Sequence, residues 1–219
     1  MTAEQILERL EGVRERIAAI GADPGAVEMV AVTKGFGVDA VRMARAAGLD
    51  HVGENYASEL VDKATRCPDA CWHFLGSLQR NKTARLAPLV SVWEALDRPQ
   101  AADAVAARSP GAVVYIQVNI TGEIRKAGCP PAEADQLVGH SARAGLDVRG
   151  LMTVGPAGDR EGARACFKLL AARGRALGLR SLSMGMSDDF DIAVDEGATS
   201  IRLGRALFGP RPTSAQAQR

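Results

Sequence analysis

Apolar residues recur along this chain with two alternating periods. Near the N-terminus Ile6, Leu10, Val13, Ile17 and Ile20 follow one another at three- and four-residue steps, which is the stripe of an amphipathic helix. Thr2 and Gln5 stand at capping-box spacing ahead of it, and Gly21 stops it. Short apolar runs then predict strands at EMVAVTK (28–34), DHVG (50–53), WHFLG (72–76), SVWEAL (91–96), AVVYIQVN (112–119), DVRGLM (147–152), LRSLSMG (179–185) and TSIRLG (199–204). Between them lie helical patterns with glycine near their ends. One closes at Gly48, one runs from Pro130 and Pro131 to Gly145, and one from about Gly158 to Gly178 carries Ala163, Phe167, Leu170 and Leu177 on its stripe.

Strands alternating with helices imply parallel pairing through right-handed crossovers. Eight such repeats predict a single (β/α)8 TIM barrel with an additional N-terminal helix, over residues 1–210, followed by a flexible tail over 211–219. An open doubly wound sheet is the competing architecture, but no GxGxxG follows a first strand.

Composition agrees with an α/β core and narrows the function. Apolar residues make up 47% of the 219 but aromatic ones only 4%, so the core is aliphatic and stacking platforms for single-stranded nucleic acid are scarce. With 27 basic and 26 acidic side chains the net charge is +1, which argues against partners held by bulk charge, nucleic acid and membrane surfaces included. No stretch reaches the roughly 18 apolar residues of a membrane span and no signal core is visible, so a cytoplasmic location is expected. Cys67, Cys71, Cys129 and Cys166, with His51, His73 and His140, show no recognised zinc spacing. Cys67 and Cys71 form only a lone C-x3-C, so reduced thiols and no metal are expected.

In a closed parallel barrel the chemistry gathers where strands end and βα loops begin. Lys34, Asn55, His73, Gly76, Asn119 and Met152 stand at such ends. Lys34 shares a strand face with Val30 and Val32 and is followed at once by glycine. Farther on, LSMGMSDDFDIAVDEGATSIRLGRALFG (182–209) places Ser187 before a helix expected to start near Asp188, and Gly204 before another turn. Two helix starts after the last two strands form a candidate phosphate cup, although Asp188 and Asp189 could satisfy the first one without a ligand. Arg202 alternates with Ile201 and Leu203, so it points into the barrel mouth rather than toward the covering helices. Closure makes the first and eighth strands neighbours. Lysine for an aldehyde, helix ends for a phosphate and arginine for a ring together suit pyridoxal 5′-phosphate.

AVTK (31–34), HVGENY (51–56), WHFLGSLQRNK (72–82), GLMTVGP (150–156), LSMGMSDDF (182–190) and IRLGRALFG (201–209) resemble, in order and over nearly the whole chain, the pyridoxal-phosphate homeostasis proteins. The resemblance implies an alanine-racemase-like barrel of fold type III in which Lys34 holds the cofactor as a Schiff base. It matches Ser187 and the backbone of Gly204 and Arg205 to phosphate contacts, Arg202 to the pyridine nitrogen and Asn55 to the pocket wall. Many members follow the lysine with a second lysine and a proline. Here Gly35, Phe36 and Gly37 stand instead, which puts any role of that second lysine in question.

Three functions fit these residues. One is a carrier that buffers or delivers pyridoxal phosphate, with apo pyridoxal-phosphate enzymes as recipients, as a monomer or weak dimer. A second is an amino-acid racemase, which needs an opposing acid/base that relatives supply as a tyrosine from a C-terminal β domain. The sequence ends at Arg219 soon after the eighth strand, so that domain is not expected, and neither Tyr56 nor Tyr115 is an evident substitute. The third is a Schiff-base sugar-phosphate aldolase, whose lysine usually sits on a middle strand. The expectation is a carrier without turnover, with no catalytic residue beyond the cofactor lysine.

Overall fold

The computed structural model describes residues 1–123 and 126–211. Its eight strands are β1 (Glu28–Val32), β2 (His51–Glu54), β3 (Cys71–Phe74), β4 (Val92–Leu96), β5 (Val113–Gln117), β6 (Asp147–Met152), β7 (Ser181–Met186) and β8 (Ser200–Leu203). They pair in sequence order, all parallel, and β1 closes onto β8. The helices among the described residues are α1 (Ala3–Ala19), α2 (Val38–Ala46), α3 (Ala57–Arg66), α4 (Arg80–Leu86), α5 (Pro99–Ala106), α6 (Ala134–Arg143), α7 (Arg160–Ala176), α8 (Phe190–Asp195) and α9 (Arg205–Phe208). The expected tail at 212–219 lies outside the described residues.

The predicted strands are all present, with ends displaced by a few residues. Thr2 caps α1 through the amide of Gln5, whose side chain answers the amide of Thr2. Ile6, Leu10, Val13 and Ile17 are buried, and α1 packs against α2, α8 and α9. The main apolar core lies between the sheet and its helices, as alternation on strands covered from outside requires. Inside the barrel the apolar filling is small: Val92, Tyr115 and Met152 form a cluster of their own. Glu94, His73, Ser183, Ser200 and Arg202 are buried as well. This interior is unusually polar for a barrel packed mainly by branched aliphatic layers.

Candidate functional site

β1 ends at Val32 rather than at Lys34 because the chain turns there. The Thr33 amide still donates to the Gly53 carbonyl, then the Phe36 amide donates back to the Thr33 carbonyl. Gly35 sits at φ +76°, a left-handed conformation that side chains rarely adopt. This answers why glycine follows the lysine. Buried Lys63 of α3 donates to the Thr33 carbonyl (2.8 Å) and to the Glu59 carboxylate (2.9 Å), and it pairs with fully buried Glu54. The same Glu59 oxygen accepts the Gly35 amide at 2.9 Å. The peptide groups on both sides of Lys34 are therefore pinned by one ion network. Half-buried Lys34 has its pKa lowered, first by desolvation and then by Arg211 and Arg202, with Glu54 opposing. Such an amine loses its proton more readily than a surface lysine and is a better nucleophile at neutral pH.

Arg202 does point inward, with 4% of its side chain exposed. It donates to Ser183 Oγ and to the Thr153 carbonyl, both at 2.7 Å, and Glu94 lies 3.9 Å away. Burial lowers the Arg202 pKa while Glu94 and Asp189 oppose that shift. Glu94 is fully buried, yet hydrogen bonds and charge from His73, with Arg202 and Ser183, hold its pKa below the usual carboxylate value. The cation at this position thus faces a carboxylate from β4, four strands away around the barrel.

Near the end of β7, Gly185 takes φ +91°, and a Cβ there would come within 2.5 Å of the Ala193 Cβ. The turn that follows carries Ser187, whose hydroxyl oxygen accepts the Ala206 amide of α9 at 3.0 Å. With its oxygen so engaged, the hydroxyl keeps one O–H that can be donated to an anion. The expected helix start at Asp188 is displaced: α8 begins at Phe190, and Asp189 folds back to accept the Met186 amide at 2.6 Å. That carboxylate therefore ties off the end of β7 and makes no cap to the α8 amides. The β8–α9 turn at Gly204 and Arg205, closed by Ser187, is the candidate anion cup, while the Arg205 side chain pairs with Asp188 on the rim.

Lys34, Asn55, Ser187, Arg202, Gly204 and Arg205 all line one cleft of about 690 Å³, together with Val32, Phe36, Met152 and Arg211. Asn55 Oδ1 is buried in it without a hydrogen-bond partner among the described residues. A native structure rarely leaves such an atom unpaired, so it marks a place where a ligand donor fits. Gly76 explains itself beside it, since a Cβ there would lie 1.9 Å from the Asn55 carbonyl oxygen. Other strand-end residues are elsewhere. His73 lies deeper in the barrel, bonded through Nδ1 to Glu94 at 2.5 Å, and Asn119 ties its own loop by donating to the Glu123 and Lys126 carbonyls. Neither tyrosine lines the cleft. Tyr56 is exposed ahead of α3, and burial pushes the Tyr115 hydroxyl up to about 12.

Glu54, Lys63 and Glu94 support the site without having been expected there. A faint signal exists for two of them: Glu94 interrupts the apolar run SVWEAL, and Lys63 falls on the buried stripe of α3 beside Leu60 and Ala64.

The family profile described as the alanine racemase N-terminal domain matches residues 8–212. A protein of Pseudomonas aeruginosa named pyridoxal phosphate homeostasis protein is 39% identical over 225 residues, covering 98% of both chains. The solved structure of PipY from Synechococcus elongatus with pyridoxal phosphate bound is similar at a TM-score of 0.82 and 32% identity, covering 93% of this chain and 100% of that one. An alanine racemase of Clostridium difficile shares the fold at a TM-score of 0.74 and 13% identity, and this chain covers 58% of it.

Proposed function

The chain belongs to the alanine racemase N-terminal domain family and, within it, to the pyridoxal phosphate homeostasis proteins, and on that premise we propose that it binds pyridoxal 5′-phosphate and acts in vitamin B6 homeostasis as a carrier. The observation that carries this reading is the convergence of Lys34, Asn55, Ser187, Arg202, Gly204 and Arg205 on one cleft. When bound, the cofactor supplies an aldehyde that condenses reversibly with an amine. Lys34 provides that amine, its pKa lowered by burial and by Arg211 and Arg202. Ser187 and the Gly204 and Arg205 backbone would hold the phosphate, Asn55 would meet its unpaired Oδ1 need, and Arg202 would face the ring.

Holding without turnover is favoured by the lining of the cleft. No tyrosine stands among its described residues to act as the second acid/base of a racemase. Arg202, kept cationic by Glu94, disfavours a protonated ring nitrogen and so weakens the electron sink that carbanion chemistry uses. No helix among the described residues is long and apolar enough to cross a membrane. A cytoplasmic carrier, monomeric or weakly dimeric, that passes its cargo to apo-enzymes fits these features.

The test is to add pyridoxal phosphate, record the visible spectrum, reduce with borohydride and map the modified peptide. A label on Lys34, absent from Lys34→Ala, is the expected result. A label on another lysine, or an unchanged yield in Lys34→Ala, would return the cleft to the sugar-phosphate reading.

A further inference from the structure

At the barrel end opposite the cleft, the first residues of β2 and β3 bring together a donor set that the carrier reading does not use. His51 Nδ1 lies 2.9 Å from His73 Nε2, Cys71 Sγ lies 3.9 Å from the same His73 nitrogen, and all three ligand atoms fall within 4.8 Å of one another. Parallel pairing accounts for the meeting: His51 is in register with Cys71 and Gly53 with His73, so the three side chains share the inward face. Glu28, at the start of β1, places Oε2 3.3 Å from His51 Nδ1, and its other oxygen accepts from Ser200 Oγ at 3.1 Å.

We propose that His51, Cys71 and His73 form a zinc(II) site, with Glu28 or water in the fourth position. Bonds of about 2.0 Å to nitrogen and about 2.3 Å to sulfur separate the ligand atoms of a tetrahedron by about 3.3–3.6 Å. The observed 2.9 and 3.9 Å bracket that spacing, so small side-chain rotations suffice. One thiolate, two imidazoles and one oxygen suit zinc and exclude calcium and magnesium, which take oxygen ligands.

The surroundings are those of a ligating histidine. His73 turns Nε2 toward the cluster while Nδ1 donates to Glu94, the carboxylate–histidine arrangement that fixes the tautomer and orientation of a metal ligand. Glu94 is itself held by Ser183 Oγ and Arg202. His73 is nearly inaccessible at 1%, whereas His51 and Glu28 are 36% and 35% exposed, which leaves an entry path from solvent. Cys67, the sequence neighbour that would complete a C-x3-C pair, does not join; its carbonyl accepts the Trp72 indole N–H instead.

The experiment uses the full chain without an affinity tag and does not depend on the cofactor. Cobalt(II) is titrated in, and the near-ultraviolet thiolate-to-cobalt band and the stoichiometry are read. One ion per chain is expected, with a band that is lost in Cys71→Ser and kept in Cys67→Ser. His51→Ala, which removes a direct ligand, is expected to weaken binding by more than the roughly 10–100-fold that loss of an outer-shell partner costs. Circular dichroism checks that each variant is folded. In the unaltered chain, zinc(II) is expected to shield Cys71 from iodoacetamide, with the alkylated peptide mapped by mass spectrometry. Absence of the band, its persistence in Cys71→Ser, or equal alkylation with and without zinc would overturn the site. Failure of these tests leaves labelling of Lys34 untouched, and failure of labelling leaves them untouched.

Discussion

Replacing Lys63 by methionine keeps the stem of the side chain and removes its charge from the network beneath Lys34. The ammonium, 3% exposed, serves Glu54, Glu59 and the Thr33 carbonyl. Once it is gone, the fully buried Glu54 carboxylate keeps only the Thr33 hydroxyl at 2.9 Å and the Asn55 amide at 3.2 Å. A buried charge deprived of its partner costs about 3–5 kcal/mol. The cost depends on pH with a definite sign. Burial already raises the Glu54 pKa from 4.5, with Lys63 opposing, so loss of Lys63 raises it further. A carboxylate whose folded pKa lies above its unfolded value is destabilising when ionised, and that penalty fades as pH falls through the folded pKa toward the unfolded one. Urea unfolding of Lys63→Met, Glu54→Gln and the double variant at about pH 8 and about pH 5.5 measures this. Lys63→Met is expected to lose most of its stability deficit at the lower pH, and the double variant to cost about 2–3 kcal/mol less than the sum of the single ones. A cost below about 1 kcal/mol, or one equal at both pH values, would refute the buried-charge argument. Because the network also pins the peptides flanking Lys34, covalent capture of pyridoxal phosphate should slow in parallel.

Arg211→Ala should move the pH midpoint for aldehyde capture by Lys34 upward and slow capture at neutral pH, since Arg211 helps to lower the lysine pKa; stopped-flow absorbance across pH reads it, and an unmoved midpoint contradicts the assignment. Gly185→Ala combines a φ of +91° with a Cβ 2.5 Å from Ala193, so thermal or urea unfolding should show a loss of about 2–3 kcal/mol. Arg202→Gln leaves Glu94 with His73 and Ser183 alone; a loss of about 3 kcal/mol is expected, together with a shifted absorption pH titration of bound pyridoxal phosphate. An unaltered titration would mean that the arginine does not sense the ring.

Much of the site was legible because its signals are local. An apolar alternation ending in lysine and then glycine reports both a strand end and a left-handed turn, and Arg202 between Ile201 and Leu203 can only face the other way. The resemblance then matched Asn55, Ser187, Gly204 and Arg205 to a ligand, and the fold brings all of them to one cleft. The start of α8, expected near Asp188, comes two residues later at Phe190, because a side chain answering a backbone amide three residues back looks, in sequence, like any acidic first-turn residue.

Periodicity therefore determined the element types and their order, because burial of one face per element is a property of neighbouring residues. Closure of the barrel alone decided the partners inside it. Ser183 meets Glu94 across 89 residues, Arg202 meets Thr153 across 49, and His51 joins Cys71 and His73 through strand register rather than through any spacing of ligands. Hydrogen bonds and ion pairs act over a few ångströms of space, and only a closed sheet turns such separations along the chain into contact.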